Sequence, residues 1–167
     1  MNHKTDILAS GHTLLTKYLE SKNLRKTPER YEVFKTVCKM KGLFSIETLA
    51  EEMKRNAEFS VSRATLFNTM DMLEEARLVV KHSIYRTSMY ECTVERKPIV
   101  CTVCRVCGKL EKINDKKSIR QLSDLHLRSF HIDQQVLYLH GVCKKCAAKT
   151  SRQSKASTDK IENSHLA

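Results

Sequence analysis

Two cysteine pairs, Cys104-x-x-Cys107 and Cys143-x-x-Cys146, bound a segment long enough for a strand, a helix and a second strand, and together they supply four thiolates. That is the inventory of a closed tetrahedral zinc site, since zinc has no d-electron preference for geometry and is satisfied by four soft sulfurs at ~2.3 Å. Gly108, directly behind the first pair, permits the tight turn such a knuckle needs. Disulfides or buried free thiols are the competing states of the same residues. A four-thiolate ion has no open position for a hydrolytic water, and two pairs set so far apart are unlike the single exposed Cys-x-x-Cys of a thioredoxin-like enzyme. The cysteines therefore predict a structural metal and no enzyme.

Cys38, Cys92 and Cys101 complete a set of seven, an odd number that fits a simple disulfide framework poorly. No basic-then-apolar leader opens the chain and no apolar run approaches the ~18 residues of a membrane span, so the expectation is a cytoplasmic protein with reduced thiols and no membrane partner. With 167 residues, 41% hydrophobic and no Trp, two small domains are favoured over one large core. The net charge of +11 points to a polyanionic partner without choosing among nucleic acid, acidic membrane and nothing specific. From Ala147 onward Lys149, Arg152, Lys155 and Lys160 lie among polar residues, which predicts a disordered tail.

The elements that would position a binding surface come first in the chain. Leu14, Leu15, Tyr18 and Leu19 form a helical stripe from His12, ended by Ser21-Lys22-Asn23. Thr27 as N-cap and Pro28 at the first helical position open a second helix bearing Tyr31, Val33, Phe34 and Val37. Ser45 caps a third helix with Ile46, Leu49, Ala50 and Met53, and Ser62 begins a fourth whose buried stripe is Leu66, Thr69, Met70 and Leu73. The β-prone Val79-Val80, Ser83-Ile84-Tyr85 and Met89-Tyr90-Glu91-Cys92 predict a hairpin turning near Arg86-Thr87-Ser88. Helices followed by a hairpin outline a winged helix-turn-helix, in which the fourth helix would enter a major groove N-terminus first. Its outward candidates are Ser62, Arg63, Thr65, Phe67 and Asn68. Arg63 suits guanine or a phosphate, Asn68 suits adenine, and Phe67 with the Thr65 methyl suits a thymine methyl. Arg25, Lys26 and Arg30 are candidate phosphate or minor-groove contacts, and an ordinary amphipathic surface helix is the competing explanation.

The second half changes period. Ile99, Val100 and Val103, then Leu110 and Ile113, predict short strands around the first knuckle; Lys117 to Phe130 predicts a helix with Ile119, Leu122, Leu125 and Phe130 on one face; Val136 to Leu139 predicts a strand. So small a β-α-β unit leaves sheet edges and an apolar helix face open, which predicts a dimer.

Leu24-Arg25-Lys26-Thr27-Pro28-Glu29-Arg30, Ala64 to Met70 with Leu73-Glu74-Glu75-Ala76, Cys104 to Lys109, and Leu137 to Cys146 together resemble the ferric uptake regulator family over roughly Leu14 to Cys146. The resemblance implies a dimeric winged-helix transcriptional repressor with a C-terminal dimerisation domain, a structural zinc in the paired cysteines and a second metal that gates DNA binding. It also exposes departures. Phe67-Asn68 stands where the family usually has Tyr-Arg, and Arg77 where it usually has Gly. Where the resemblance places regulatory ligands, this chain has Leu43, Ile99, Cys101 and Lys112, with Glu111 beside the last, and only Glu91 keeps its type; a further family site falls on Pro98, Val100, Ile119 and Gln135. Leucine and isoleucine offer no donor and Lys112 repels a cation, so the ferrous-iron response implied by the resemblance is not expected.

The expected architecture is thus α+β: a winged-helix DNA-binding domain over residues 1–92, a small α/β dimerisation domain with the four-cysteine zinc over 93–148, and a basic tail over 149–167. The expected function is sequence-specific regulation of transcription at a palindromic duplex operator by a homodimer. Cys101 and Glu91 are the candidate effector or redox residues, with a second metal or a haem as candidate cofactor; Cys38 and Cys92 are expected to be buried apolar-like thiols, and His126, His131 and His140 surface or hydrogen-bonded residues. The alternative is a zinc-stabilised RNA-binding or scaffolding protein, whose charge would look the same.

Overall fold

A computed structural model describes residues 3–55, 61–84, 87–95 and 97–149. The chain forms two compact units, one of residues 1–97 with 127–134 and one of 98–126 with 135–167.

The first unit contains α1 (His3–Ser21), α2 (Pro28–Lys39), α3 (Ile46–Arg55), α4 (Arg63–Glu75), β1 (Val79–Ile84) and β2 (Thr87–Cys92). Local chemistry sets most boundaries. Pro28 occupies the first turn of α2, although Thr27 at the N-cap makes no side-chain cap bond. The Thr48 N–H donates to Ser45 Oγ, and the Thr65 N–H to Ser62 Oγ, at the starts of α3 and α4. Helices α1 and α4 end alike: Asn23 and Arg77 take left-handed φ values of 52° and 56°, and the Leu24 and Leu78 N–H groups reach back to Leu19 O and Leu73 O. This is the Schellman closure, in which glycine is the unstrained residue. Asn23 tolerates it; the Arg77 side chain forms an ion pair with Asp133.

The core of this unit gathers Leu15, Leu19, Val33, Phe34, Val37, Leu49, Leu66, Met70 and Leu73, matching the predicted stripes. Tyr18, on the same helix as Leu15, donates its hydroxyl to Glu75 at 2.6 Å, joining the ends of α1 and α4; partial burial and the Glu75 carboxylate push the phenol up to about 12. Helix α1 begins well before the stripe at His12, and its buried Gly11 admits a close approach of Phe34 on α2. In the β1–β2 hairpin Ile84 faces Thr87, so Thr87 and Ser88, expected in the turn, are already strand, and the connection falls on Tyr85 and Arg86, outside the described residues. Val79 and Tyr90 are buried on one face of the hairpin and His82 and Glu91 on the other, so a one-residue slip of either strand would misplace buried side chains. Phe44 adds a bridge to Tyr90, with backbone bonds of 2.9 and 2.7 Å.

The second unit contains β3 (Ile99–Cys104), β4 (Leu110–Ile113), α5 (Lys116–Ser123) and β5 (Val136–Gly141), in sheet order β4-β3-β5. β3 runs antiparallel to β4 and parallel to β5, so a crossover through α5 is required, as the β-α-β pattern predicts. Helix α5 corrects the expected span to Phe130: it ends at Ser123, Leu125 is 49% and Phe130 66% exposed, and Leu127 and Phe130 bridge across a turn. The apolar positions past Leu122 find no core to pack on, and an isolated helical turn gains too little to propagate. Residues 144–149 are helical, so the expected disorder does not begin at Ala147; the tail from Thr150 lies outside the described residues. No helix among the described residues is long and apolar enough to cross a membrane.

Gly11 provides a test of the α1 packing. A Cβ there would lie 2.5 Å from Phe34 Cζ and 3.1 Å from Val94 Cγ2. Overpacking costs ~1–3 kcal/mol, against the ~1 kcal/mol by which Ala is the better helix residue. Gly11→Ala is therefore expected to destabilise the first unit by a net ~1 kcal/mol, read as a lower urea midpoint; an unchanged or raised midpoint would contradict this packing.

Candidate metal centre and nucleic-acid interface

Strand β3 delivers Cys104 at its last position, and the turn that follows carries Cys107. Gly108, at φ 72°, closes that turn, with its N–H donating to Cys104 O at 2.8 Å and the Cys104 N–H donating to Lys109 O at 2.9 Å. Parallel pairing sets Gly141 beside Cys104, which brings Cys143 and the helical run 144–149, with Cys146, to the same end of the sheet. All four sulfurs lie within 4.8 Å of one another. The Cys107 and Cys143 sulfurs are 3.9 Å apart, close to the ~3.8 Å edge of a tetrahedron with metal–sulfur bonds of ~2.3 Å. Four soft donors without a carboxylate or imidazole fit a thiophilic ion with its coordination closed.

Hydrogen bonding within the cluster splits its thiols in opposite directions. The Cys143 N–H donates to Cys104 Sγ at 3.3 Å, and this with the Cys107 amide draws the Cys104 thiol down to about 6. Cys146 is pushed the other way, to about 12, by hydrogen bonds with Cys143 and Cys107 and by its burial. Among the described residues no other group of three or more Cys, His, Asp or Glu side chains converges in this way.

The effector candidates are placed individually. Cys101 is fully buried in β3, beside Lys112 on one strand and Tyr138 on the other. Glu91 is buried on β2, its Oε2 3.9 Å from Nε2 of the fully buried His82 on β1. His82 escaped the sequence reading, because one histidine in a short strand gives no signal of a partner. Ile99 and Val100 are buried in β3, while Glu111 pairs with Lys109 at 2.6 Å. His126 contacts Asp124 O at 2.8 Å, His131 lies 3.5 Å from Asp133, and His140 is exposed.

Of the nucleic-acid candidates, Arg63, Phe67 and Asn68 stand exposed on α4 opposite Leu66, Thr69, Met70 and Leu73. The Arg63 guanidinium lies 5.7 Å over the Phe67 ring and 3.4 Å from Glu47, an exposed pair that a phosphate or base edge can displace at little cost. Ser62 and Thr65 are partly committed: their hydroxyls are 2.8 Å apart and Ser62 caps the helix. Arg25 is exposed, whereas Arg30 is half-buried and donates to Arg25 O, bracing the loop before α2.

The family model of the ferric uptake regulators matches residues 21–140. The chain is 29% identical over 138 residues to the ferric uptake regulation protein of Campylobacter upsaliensis, covering 80% of this chain and 87% of that one. It is 25% identical over 132 residues to the ferric uptake regulation protein of Campylobacter jejuni, covering 78% and 84%. Its fold is similar to that of the Helicobacter pylori ferric uptake regulator, with a TM-score of 0.59 at 16% identity over 84% of this chain and 93% of that one. The manganese-containing ferric uptake regulator of Pseudomonas aeruginosa gives a TM-score of 0.58 at 21% identity, covering 77% and 97%.

A metal accepts only deprotonated thiols, so a cluster with Cys146 held protonated to about 12 is expected to expel protons on loading at neutral pH. Protons compete with the metal, so affinity present at high pH is lost as pH falls, most steeply where Cys104 also protonates, near 6 and below. Zinc titrations at about pH 8 and about pH 5, with calorimetry in buffers of different ionisation heat, check both signs; a pH-independent affinity would exclude this thiolate centre.

Proposed function

The chain belongs to the ferric uptake regulator family, and we propose that it is a homodimeric, sequence-specific transcriptional repressor whose four cysteines hold a structural zinc and whose DNA binding is not gated by ferrous iron. The observation that carries this is the two-sidedness of α4. Its inner face is locked into the core by Leu66, Met70 and Leu73, while Arg63, Phe67 and Asn68 project from its N-terminal half beside the β1–β2 hairpin. A helix so anchored can present side chains to base edges at a fixed depth, with Arg25 supplying a phosphate contact and the hairpin serving as the wing.

Zinc is favoured by the all-sulfur donor set, which closes the coordination shell and suits a structural ion. A dimer is supported by the outer face of β5, where Leu137 is 36% and Leu139 46% exposed beside an open sheet edge, with Val142 43% exposed just beyond. A second copy covering that face would remove both the apolar surface and the edge from water. Two copies also match a palindromic operator, since protein and site then share a two-fold axis. The altered effector response rests on Leu43, Ile99, Cys101 and Lys112 at the positions where the resemblance implies ligands. Glu91 retains a carboxylate, but it faces His82 inside the hairpin.

Asn68→Ala is expected to lose roughly 1–3 kcal/mol on the preferred duplex and little on unrelated duplexes, because a bidentate amide contact reads a base and not the backbone. Arg25→Ala should weaken all duplexes and reduce the salt dependence by about one phosphate. Binding-site selection checks this: unchanged preference in both Asn68→Ala and Arg63→Ala, or tighter binding to single-stranded RNA than to any palindromic duplex, would refute the assignment.

An allosteric gate needs differential stabilisation of about 1–3 kcal/mol, which iron cannot draw from a site occupied by Leu43 and Ile99. Operator affinity of zinc-loaded protein, titrated anaerobically with and without ferrous iron, should therefore agree to within about tenfold. Stronger tightening by iron would show that the gate persists. Cys101→Ala separates any haem or thiol-oxidant effect from this, and a response unaltered in that variant would remove Cys101 from the effector mechanism.

A further inference from the structure

Cys38 and Cys92 are 54 positions apart in sequence, yet their sulfurs lie 3.8 Å apart in the first unit. Neither belongs to the four-sulfur centre, and both residues are half-buried. Each stands where its element can yield: Cys38 is the penultimate residue of α2 and Cys92 the last of β2. A disulfide needs its sulfurs at ~2.05 Å, so closing the pair asks for a relative movement of under about 2 Å, a small displacement for side chains at the ends of two elements. Cys101, by contrast, is fully buried in β3.

We propose that Cys38 and Cys92 form a redox modification site that a peroxide-class oxidant converts to an intramolecular disulfide tying α2 to β2. One thiol of the pair, as its thiolate, attacks a peroxide oxygen; the O–O bond breaks, a sulfenic acid forms, and the other oxygen leaves as hydroxide and is protonated to water. The second thiol then attacks the sulfenyl sulfur, forming the S–S bond and releasing the remaining oxygen as water. Two thiols lose two electrons and two protons, and one peroxide becomes two waters. The product closes a loop spanning α3, α4 and both strands of the hairpin, which restricts the unfolded chain and holds the hairpin base against α2. This inference is independent of the DNA-binding proposal.

The test is made on the full chain loaded with zinc, so that the four-sulfur centre is protected. Protein treated with hydrogen peroxide is alkylated, digested and analysed by mass spectrometry. A peptide joining Cys38 to Cys92, lighter by two hydrogens and reversible with dithiothreitol, is expected. The thermal midpoint should rise with it, by roughly 10 °C for a loop of this length in a small domain. In Cys38→Ala the link and the rise are both expected to vanish, leaving a sulfenic acid at Cys92 that dimedone traps; Cys92→Ala provides the reciprocal variant should the first fold poorly. Recovery of both residues as alkylated free thiols after oxidation, or linkage of either to a different cysteine, would overturn the proposal.

Discussion

Convergence of four sulfurs at one end of a three-stranded sheet is the constraint on which the second unit depends. β3 is buried, but β4 and β5 are both edges, and α5 spans only eight residues with no fully buried side chain. So small a sheet buries little of what its unfolded chain exposes, and a parallel pair must also close a long crossover before any contact rewards it. Cross-linking the end of β3 to the chain leaving β5 acts on that weakness, since a metal held by Cys104, Cys107, Cys143 and Cys146 joins the two parallel strands at the ends where they meet. Binding energy at such a centre is folding energy.

The first unit is held differently. Its core is continuous, running from Leu15 and Leu19 through Phe34 and Val37 to Leu66, Met70 and Leu73, and its polar links lie at element ends: Tyr18 to Glu75, Ser45 to Thr48, Ser62 to Thr65. The consequence for α4 is a rigid inner face and an outer face that packing leaves free. Arg63, Phe67 and Asn68 are available for recognition because the helix does not need them for its own stability. Ser62 and Thr65 have less freedom, since the hydroxyls that would approach a partner already serve the cap. The buried His82 and Glu91, 3.9 Å apart inside the hairpin, add a polar element to a largely apolar core.

Much of this was legible in the linear chain because the signals are short-range. Pro28 after Thr27, the Ser-x-x-Thr caps at Ser45 and Ser62, the β-prone Val79-Val80 and the repeated Cys-x-x-Cys each carry their physical cause within a few residues. The helices of the first unit, the hairpin, the three strands of the second unit and the buried face of α4 follow from them. Composition alone left the partner open between nucleic acid and other polyanions, and it was the order of motifs that pointed to the family.

Tertiary structure decided what depends on neighbours distant in sequence. α5 stops at Ser123 because the apolar residues beyond Leu122 meet no core, a fact that periodicity cannot contain. The close approach of Phe34 to Gly11 and the hairpin register, set by residues buried on both of its faces, likewise depend on neighbours brought by packing. The same holds for chemistry. The sequence by itself determined each cysteine pair, since a two-residue spacer brings its own two thiols together; only the fold could bring the two pairs to one place, His82 to Glu91, or the Cys38 sulfur to within 3.8 Å of Cys92, because those meetings require whole elements to pack first.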